Sequence, residues 1–113
     1  MDCLFCKMVA GTIPTTVVLD EEDVFAFRDI NPQAPTHVLV VPKKHIRSLG
    51  ELEVTDTELL GKVLHAGRRI AEAEGIAQGG FRCVFNTNAD AGQTVHHVHM
   101  HVLGGRHFKW PPG

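Results

Sequence analysis

Between His97 and Leu103 the sequence alternates histidine with apolar residues, which is the two-residue period of an extended strand. In a strand, the three histidine side chains would share one face and the apolar side chains would share the other. The apolar face is suited to burial against a helix, whereas a merely solvated face would more often carry lysine, glutamate or threonine. The segment therefore predicts a sheet that packs against a helix on one side and presents three imidazoles on the other.

A single long amphipathic helix is predicted to cover this sheet. Apolar and small residues recur at helical spacing between Leu59 and Ala71, so they form one stripe along the helix. Thr55 and Glu58 have the spacing of a capping box at its start. Gly75 is placed to end it in the left-handed conformation. A second, short helix is predicted over residues 4–10.

Short β-rich runs, separated by glycine, proline and Asn-Pro signals, make up most of the remaining chain. The predicted strands are residues 16–20, 24–29, 37–42, 81–86 and 95–103. Three strands, one helix and two further strands indicate the α+β class with a five-stranded antiparallel sheet. The length of 113 residues fits one domain, residues 1–113.

The composition argues against several classes of partner. The chain is 43% hydrophobic and 21% charged, with a formal net charge of -2, so it lacks the basic surface that extended nucleic acid requires. No stretch approaches the roughly 20 apolar residues of a membrane-spanning helix. The first residues lack the basic start of a signal peptide. We therefore expect a cytoplasmic protein that binds neither nucleic acid nor membrane.

The three alternating histidines favour separate chemical roles. At every second position they span roughly 13 Å along a strand, too far to meet at one ion without strong twist or bulging. A neutral imidazole, with a pKa of about 6.5, is a competent nucleophile and proton carrier. The loop at residues 88–94 is rich in small residues and could offer a phosphate its N–H groups and the Thr94 hydroxyl. Two plainer interpretations are a chance surface patch and adventitious metal binding.

Cys3 and Cys6 have the spacing of two metal ligands, but a structural zinc needs four. The pair is less suited to a structural disulfide in a reducing compartment, and no thioredoxin-like pattern follows it to suggest redox catalysis. Both thiols could instead be small buried residues. Cys83 is expected in the core and His96 in a packing role.

Several separate motifs resemble the histidine triad family, and in particular its nucleotide-binding branch. Residues 97–103 match the motif His-φ-His-φ-His-φ-φ, in which φ is apolar. Further matches are DINPQAPTH at residues 29–37, PKKHI at residues 42–46, and the ending GGR…WPPG at residues 104–113. The resemblance covers essentially the whole chain, and the cysteine pair is similar to that of bacterial-type zinc-bearing members.

The resemblance implies a homodimer with one continuous ten-stranded sheet, in which each active site lies near the partner's C-terminus. It also implies cleavage of the P–N bond of purine nucleoside 5′-phosphoramidates, of the AMP-NH2 or AMP-lysine type, through a nucleotidyl-histidine intermediate. By this likeness His99 is the nucleophile, His101 contacts the phosphate oxygens and His37 orients or relays a proton. Thr94 stands where the family usually has serine, and its hydroxyl would donate to the phosphate or leaving group.

The same resemblance implies a purine nucleotide pocket and a structural zinc site. Asp29 would accept hydrogen bonds from the ribose hydroxyls. The other expected pocket residues are Phe5, Met8, Phe27 and Ile30 around the base, Asn86, Gly92 and Gln93 near the phosphate, and Trp110 at the partner's site or as a dimer anchor. His45 and His97 would complete the zinc ligands begun by Cys3 and Cys6, tying the N-terminal segment to the sheet.

Other functions stay open. Dinucleoside polyphosphate hydrolysis is the activity of the fragile histidine triad branch, although the Trp-Pro-Pro-Gly ending favours the nucleotide-binding branch. A nucleotide-sensing or partner-binding module with incidental hydrolysis is a second alternative. Metal storage or transfer is a third.

Overall fold

A five-stranded antiparallel sheet forms the centre of the molecule in the computed structural model, which describes residues 2–113. The strands lie in the order β1-β2-β3-β5-β4. Their bounds are β1 Val17–Asp20, β2 Val24–Arg28, β3 Thr36–Pro42, β4 Phe81–Phe85 and β5 Met100–Gly104. The helices are α1 Leu4–Val9 and α2 Thr57–Ala73, with two short 3-10 turns at Leu49–Glu51 and Val54–Asp56. The predicted α+β class and the five-stranded antiparallel sheet are confirmed.

Helix α2 covers one face of the sheet. Val63 and Ile70 pack against the β3 and β5 side chains Val40, Met100 and Val102. Each such buried aliphatic side chain stabilises the fold by roughly 1.5–3 kcal/mol. Gly67 allows a close approach of helix and sheet, because a Cβ at that position would overlap the Cε of Met100.

The opposite face carries a second apolar cluster, beneath α1. Its buried members are Cys3, Phe5, Phe25, Phe27, Leu39 and Val41. Of the six residues of α1, only Phe5 is buried. The short helix therefore docks on the sheet through one aromatic side chain and the adjoining cysteines. No helix within residues 2–113 is long and apolar enough to cross a membrane.

The start of α2 differs from the sequence-based expectation. The predicted capping box of Thr55 and Glu58 is wrong, because the helix begins at Thr57 after a 3-10 turn. Asp56 instead accepts a 3.0 Å hydrogen bond from the backbone N–H of Glu53, while Lys44 Nζ lies 2.7 Å from its other carboxylate oxygen. The bond from Glu53 closes the 3-10 turn that precedes α2, and the Asp56 side chain makes no capping hydrogen bond to α2 itself. The predicted left-handed end is confirmed, since Gly75 has a φ of 76°.

The predicted strand over residues 95–103 is wrong in its first half, because β5 begins only at Met100. His97 and Val98 are both buried, at 0% and 2% exposure, although neither lies in a regular strand. The backbone N–H of Val98 donates to the carbonyl of Ile46 at 2.7 Å. The segment before β5 is therefore held by the stretch that follows β3 and not by a regular ladder.

Strand β4 forms one edge of the sheet, and the expectation that Cys83 lies in the core is wrong. Cys83 is exposed at the middle of this strand. A side chain on an edge strand has a neighbouring strand on one side only, which explains its exposure in the single chain.

Candidate active site and metal centre

Four side chains from three parts of the chain converge on one point beside α1. The metal-binding atoms of Cys3, Cys6, His45 and His97 all lie within 4.8 Å of one another. Nδ1 of His97 lies 3.4 Å from Sγ of Cys3 and 3.6 Å from Sγ of Cys6. Nδ1 of His45 lies 3.6 Å from Sγ of Cys6 and 3.1 Å from Nδ1 of His97. The four predicted ligands thus form one cluster.

The spacing of this cluster fits a tetrahedral ion. With Zn–S bonds of about 2.3 Å and Zn–N bonds of about 2.0–2.1 Å, such an ion separates sulfur from nitrogen by about 3.5 Å and two nitrogens by about 3.4 Å. Nε2 of His97 donates a 2.8 Å hydrogen bond to the carbonyl oxygen of Pro42. Nδ1 of the neutral ring therefore keeps its lone pair toward the thiols, as a metal ligand requires. The cluster can hold zinc.

A backbone carbonyl also determines the tautomer of His99. Nδ1 of His99 donates a 2.7 Å hydrogen bond to the carbonyl oxygen of His97, which can only accept. In the neutral ring the proton therefore resides on Nδ1, and Nε2 has a free lone pair. That is the state in which an imidazole attacks phosphorus or accepts a proton.

Aromatic rings hold the His99 imidazole on more than one side. Its ring centroid lies 5.0 Å from that of Phe5, with the planes at 83°, and 5.1 Å from that of His101. Phe5 also makes edge-type contacts with His97 at 5.9 Å and with Phe27 at 5.2 Å. His99 is 7% exposed, and the Phe5 ring that it contacts is a buried member of the cluster beneath α1.

His37 and His101 form a directed hydrogen-bond chain. The backbone N–H of Gln33 donates to Nδ1 of His37 at 3.0 Å, so Nε2 of the neutral ring carries the proton. Nε2 of His37 lies 2.9 Å from Nδ1 of His101 and therefore donates to it. The proton of His101 is then on Nε2. The chain ends in an N–H that is available to a substrate oxygen.

Asp29, His37 and His101 also lie close enough together to hold a cation. The tautomer of His37 argues against that role, because its proton occupies the Nε2 atom that would have to bind the ion. Asp29 accepts a 2.8 Å hydrogen bond from the backbone N–H of Asn31, and its other oxygen lies 3.4 Å from Nε2 of His37. The group is better described as a hydrogen-bond relay than as a second metal centre.

Burial keeps the triad imidazoles neutral near pH 7. It lowers the pKa of His101 to about 4, and the nearby His99 and His37 add to the shift while Asp29 opposes it. Burial also lowers the pKa of His37, again against the attraction of Asp29. For His99 burial lowers the pKa, although its bond to the His97 carbonyl and the Asp29 charge both act in the opposite direction.

The residues predicted to surround a base lie near one another only in part. Phe5 and Phe27 are buried in the cluster beneath α1, and Met8 packs against its edge. Ile30 is 97% exposed, so it makes little contact with the rest of the chain. Nothing in these contacts identifies a bound base, and the predicted pocket stays a prediction.

The predicted phosphate loop is held by Gln93. The side-chain oxygen of Gln93 accepts from the backbone N–H of Asn88, while its nitrogen donates to the carbonyls of Arg47 and Val95. This side chain therefore stabilises the loop, and phosphate contacts from the loop would come mainly from its backbone. Asn86 is half-buried, and Gly92 is exposed with a φ of 81°.

Thr94 and His96 lie on the metal side of this loop. Both are exposed, and together with His45 they line a cavity of about 370 Å³. The packing role expected for His96 is therefore wrong, because its side chain follows the irregular backbone outward. The predicted role of Thr94 at the phosphate remains a prediction. Trp110, in the C-terminal tail, is 82% exposed.

Three contributors to the site were missed by sequence reasoning. They are the carbonyl of Pro42, the carbonyl of Ile46 and the N–H of Gln33. Each acts through its backbone, so its side chain carries no signal of the role. All three lie in stretches that resemble the family, at residues 29–37 and 42–46, and that position was the available hint.

Comparisons with known proteins agree with this arrangement. A family model described as the HIT domain matches residues 10–108. The chain is 45% identical over 112 residues to the 14 kDa zinc-binding protein of Zea mays, covering 97% of this chain and 87% of that protein. It is 43% identical over 105 residues to the purine nucleoside phosphoramidase of Escherichia coli strain K12, covering 93% and 88%.

A solved structure shows the same fold throughout. The HIT family hydrolase from Legionella pneumophila Philadelphia 1 superimposes with a TM-score of 0.98 at 51% sequence identity, covering 99% of this chain and 100% of that chain. The family match spans the sheet, α2 and all three triad histidines. The chain therefore belongs to the histidine triad (HIT) family.

Proposed function

We propose that this protein is a hydrolase that cleaves the P–N bond of purine nucleoside 5′-phosphoramidates, of the AMP-NH2 or AMP-lysine type. The observation that carries the proposal is the tautomer of His99, whose Nδ1–H is bound to the His97 carbonyl and whose Nε2 is free to attack. The relative from Escherichia coli, which is named a purine nucleoside phosphoramidase, supports this substrate class.

The proposed reaction has two displacement steps. Nε2 of His99 forms a bond to phosphorus while the P–N bond breaks, and the leaving amine takes up one proton. Water then attacks the phosphorus of the nucleotidyl-histidine and loses one proton as the N–P bond breaks. This step releases AMP and restores neutral His99. Splitting one difficult displacement into two is the advantage of covalent catalysis.

His101 and its neighbours have supporting roles in this proposal. The Nε2–H at the end of the His37–His101 chain donates to a phosphate oxygen, where charge accumulates as the bond to phosphorus forms. Asp29 accepts from the ribose hydroxyls, and Thr94 donates on the leaving-group side. Phe5, Phe27, Met8 and Ile30 surround the base, Asn86, Gly92 and Gln93 lie near the phosphate, and Trp110 belongs to the partner's site.

We propose zinc as the occupant of the Cys3, Cys6, His45 and His97 cluster. The Cys₂His₂ set fills all four positions of a tetrahedral ion, so the bound metal supplies cross-links and leaves no position for substrate. The name of the maize relative supports this metal. Three free cysteines, two of them metal ligands here, also fit the reducing cytoplasm in which we place the protein.

We further propose a homodimer with one continuous ten-stranded sheet, joined through β4. The two edges of the sheet are β1 and β4. Strand β1 carries an irregularity in its pairing between Val17 and Leu19, which disfavours a further strand beside it. Strand β4 pairs regularly and leaves Phe81 and Cys83 exposed, so it can accept a further strand. A hydrogen bond from Arg82 to the carbonyl of Lys109 joins the same strand to the C-terminal tail.

The proposal is tested by the release of AMP from adenosine 5′-phosphoramidate. Replacement of the nucleophile in His99→Ala is expected to lower kcat at least a thousandfold, roughly the loss on removal of a covalent nucleophile. His96→Ala is the matched control, because His96 is an exposed histidine near the triad that takes no part in the mechanism. Equal rates for the wild type and His99→Ala would remove His99 from the reaction.

The same preparation distinguishes the alternatives. Faster turnover of a dinucleoside triphosphate than of the phosphoramidate would favour the polyphosphate hydrolase. A His99 variant that still binds AMP and fully complements a deletion strain would favour a binding module over an enzyme.

A further inference from the structure

The His99 imidazole needs more than one hydrogen bond to be held in a single orientation. The bond from Nδ1 to the His97 carbonyl determines which nitrogen is free, but one bond at a ring atom leaves the plane of the ring able to rock about it. Rotation of the ring plane would turn the Nε2 lone pair away from an in-line approach to phosphorus. The contacts that the ring makes with its neighbours therefore determine how well Nε2 is oriented toward phosphorus.

Phe5 supplies one of these contacts at close range. The Phe5 and His99 rings are separated by 5.0 Å between centroids and are nearly perpendicular, at 83°. This is the edge-to-face arrangement that aromatic rings prefer. Phe5 is 3% exposed and is itself held by an edge contact with Phe27.

Phe5 lies in a segment that the metal centre holds in place. Helix α1 has six residues, far fewer than the roughly 12–15 that an isolated helix needs, so its position depends on tertiary contacts. Cys3 and Cys6 flank Phe5 in the sequence, and both thiols face Nδ1 of His97. The ring that touches His99 is thus fixed between two residues of the metal cluster.

We propose that Phe5 is a positioning residue for His99, whose ring, anchored between Cys3 and Cys6, holds the nucleophilic imidazole in its reactive orientation. This role differs from a place in the wall of the base pocket, because it operates when no nucleotide is bound. Only the kinetic part of its test rests on the proposed function.

The experiment compares Phe5→Leu with Phe25→Leu. Phe25 is the matched control, since it lies in the same apolar cluster at 2% exposure and contacts Phe27, without forming an aromatic contact with His99. Long-range ¹H–¹⁵N NMR of the nucleotide-free, zinc-loaded proteins reports the tautomer and ring exchange of His99. We expect one sharp Nδ1–H tautomer in the wild type and in Phe25→Leu, and a mixture or exchange broadening in Phe5→Leu. Phe5→Met, which keeps volume without a ring, serves if Phe5→Leu does not fold.

The kinetic measurement separates positioning from base binding. Phe5→Leu is expected to lower kcat about two- to tenfold, with a smaller change in KM, while one zinc per chain is retained. An unchanged His99 spectrum in the ring-less variant would overturn the proposal, whatever happens to KM. If even the wild type hydrolyses no phosphoramidate, the proposed function fails, and the spectrum alone decides the role of Phe5.

Discussion

His97 contacts His99 through its backbone and the cysteine pair through its side chain. Its carbonyl oxygen accepts a 2.7 Å hydrogen bond from Nδ1 of His99, and its own Nδ1 lies 3.4 Å from Sγ of Cys3. One residue therefore belongs to the metal cluster and determines the tautomer of its neighbour. A change at the metal centre has a short physical route to the candidate nucleophile.

Removal of both thiols should separate stability from catalysis. In Cys3→Ser/Cys6→Ser the metal loses two of four ligands, and the fold loses the stabilisation that binding supplies, about 4 kcal/mol when free metal exceeds Kd a thousandfold. We expect a melting temperature lower by about 10 °C or more, with residual activity. Thermal melts and metal analysis check this result. Cys83→Ser, which changes a thiol outside the cluster, should keep the metal. Stoichiometric zinc in the double variant would contradict the ligand assignment.

Two glycines of α2 should respond in opposite directions to the same substitution. In Gly61→Ala the new Cβ meets nothing within 4 Å, so the helix gains about 0.5–1 kcal/mol from alanine's higher propensity. In Gly67→Ala the Cβ overlaps the Cε of the buried Met100. Overpacking then lowers the free energy of unfolding by about 1–3 kcal/mol, which exceeds the gain in helix propensity, so this variant should be less stable. Urea unfolding of the two variants provides the measurement. A stabilised Gly67→Ala would show that Met100 repacks without cost.

Acid should destabilise the protein partly through His101. Its pKa is lowered to about 4, mainly by burial, so the folded state binds fewer protons than the unfolded chain between about pH 6.5 and pH 4. The free energy of unfolding is therefore unaffected by this group above about pH 6.5, and it falls as the pH is lowered from 6.5 toward 4. The groups that face His101 are His99, His37 and Asp29.

The matched variant for this effect is His101→Gln, whose side-chain oxygen can still accept from Nε2 of His37. Between pH 7 and pH 5 the wild type should lose more unfolding free energy than the variant, by up to about 2 kcal/mol before solvent screening reduces it. Comparison of the two slopes cancels the acid sensitivity of the metal ligands. Equal slopes would mean that His101 titrates alike in both states.

The proposed dimer should depend on one sheet edge and not on the other. A lysine in Cys83→Lys places an unpaired charge at the middle of β4, which should shift the protein toward monomer. Val17→Lys introduces the same charge on the opposite edge strand, at a residue that is 51% exposed. Sedimentation velocity should show a dimer for Val17→Lys and a monomer for Cys83→Lys. The reverse pattern would place the interface at β1.

The repeating parts of the fold could be predicted because their signals are local. The apolar stripe from Leu59 to Ala71 predicts α2, and the β-rich run at residues 37–42 predicts β3, whose residues are all buried. The start of α2 could not be predicted from Thr55, because a 3-10 turn precedes the helix and the Asp56 carboxylate in that turn is paired with Lys44 from another segment. A local pattern cannot reveal a turn that a contact from another segment stabilises.

The candidate site was predictable in its members and not in its geometry. Spacing indicated Cys3 and Cys6 as ligands, the resemblance added His45 and His97, and the structure brings all four together. Alternation predicted a regular strand at His97, whereas the His97 ring donates to the carbonyl of Pro42 and the backbone N–H of Val98 donates to the carbonyl of Ile46. The free nitrogens depend on those backbone partners, which no residue type encodes.

The stretch from Pro42 to Ile46 has a consequence beyond its own position. Its two end carbonyls hold His97 and Val98, and His45 between them joins the metal cluster. The geometry of the reacting centre therefore depends on two segments, the histidine segment itself and the five residues from Pro42 to Ile46. Substitutions among these five residues should therefore change the orientation of the His99 ring while every histidine of the triad is kept.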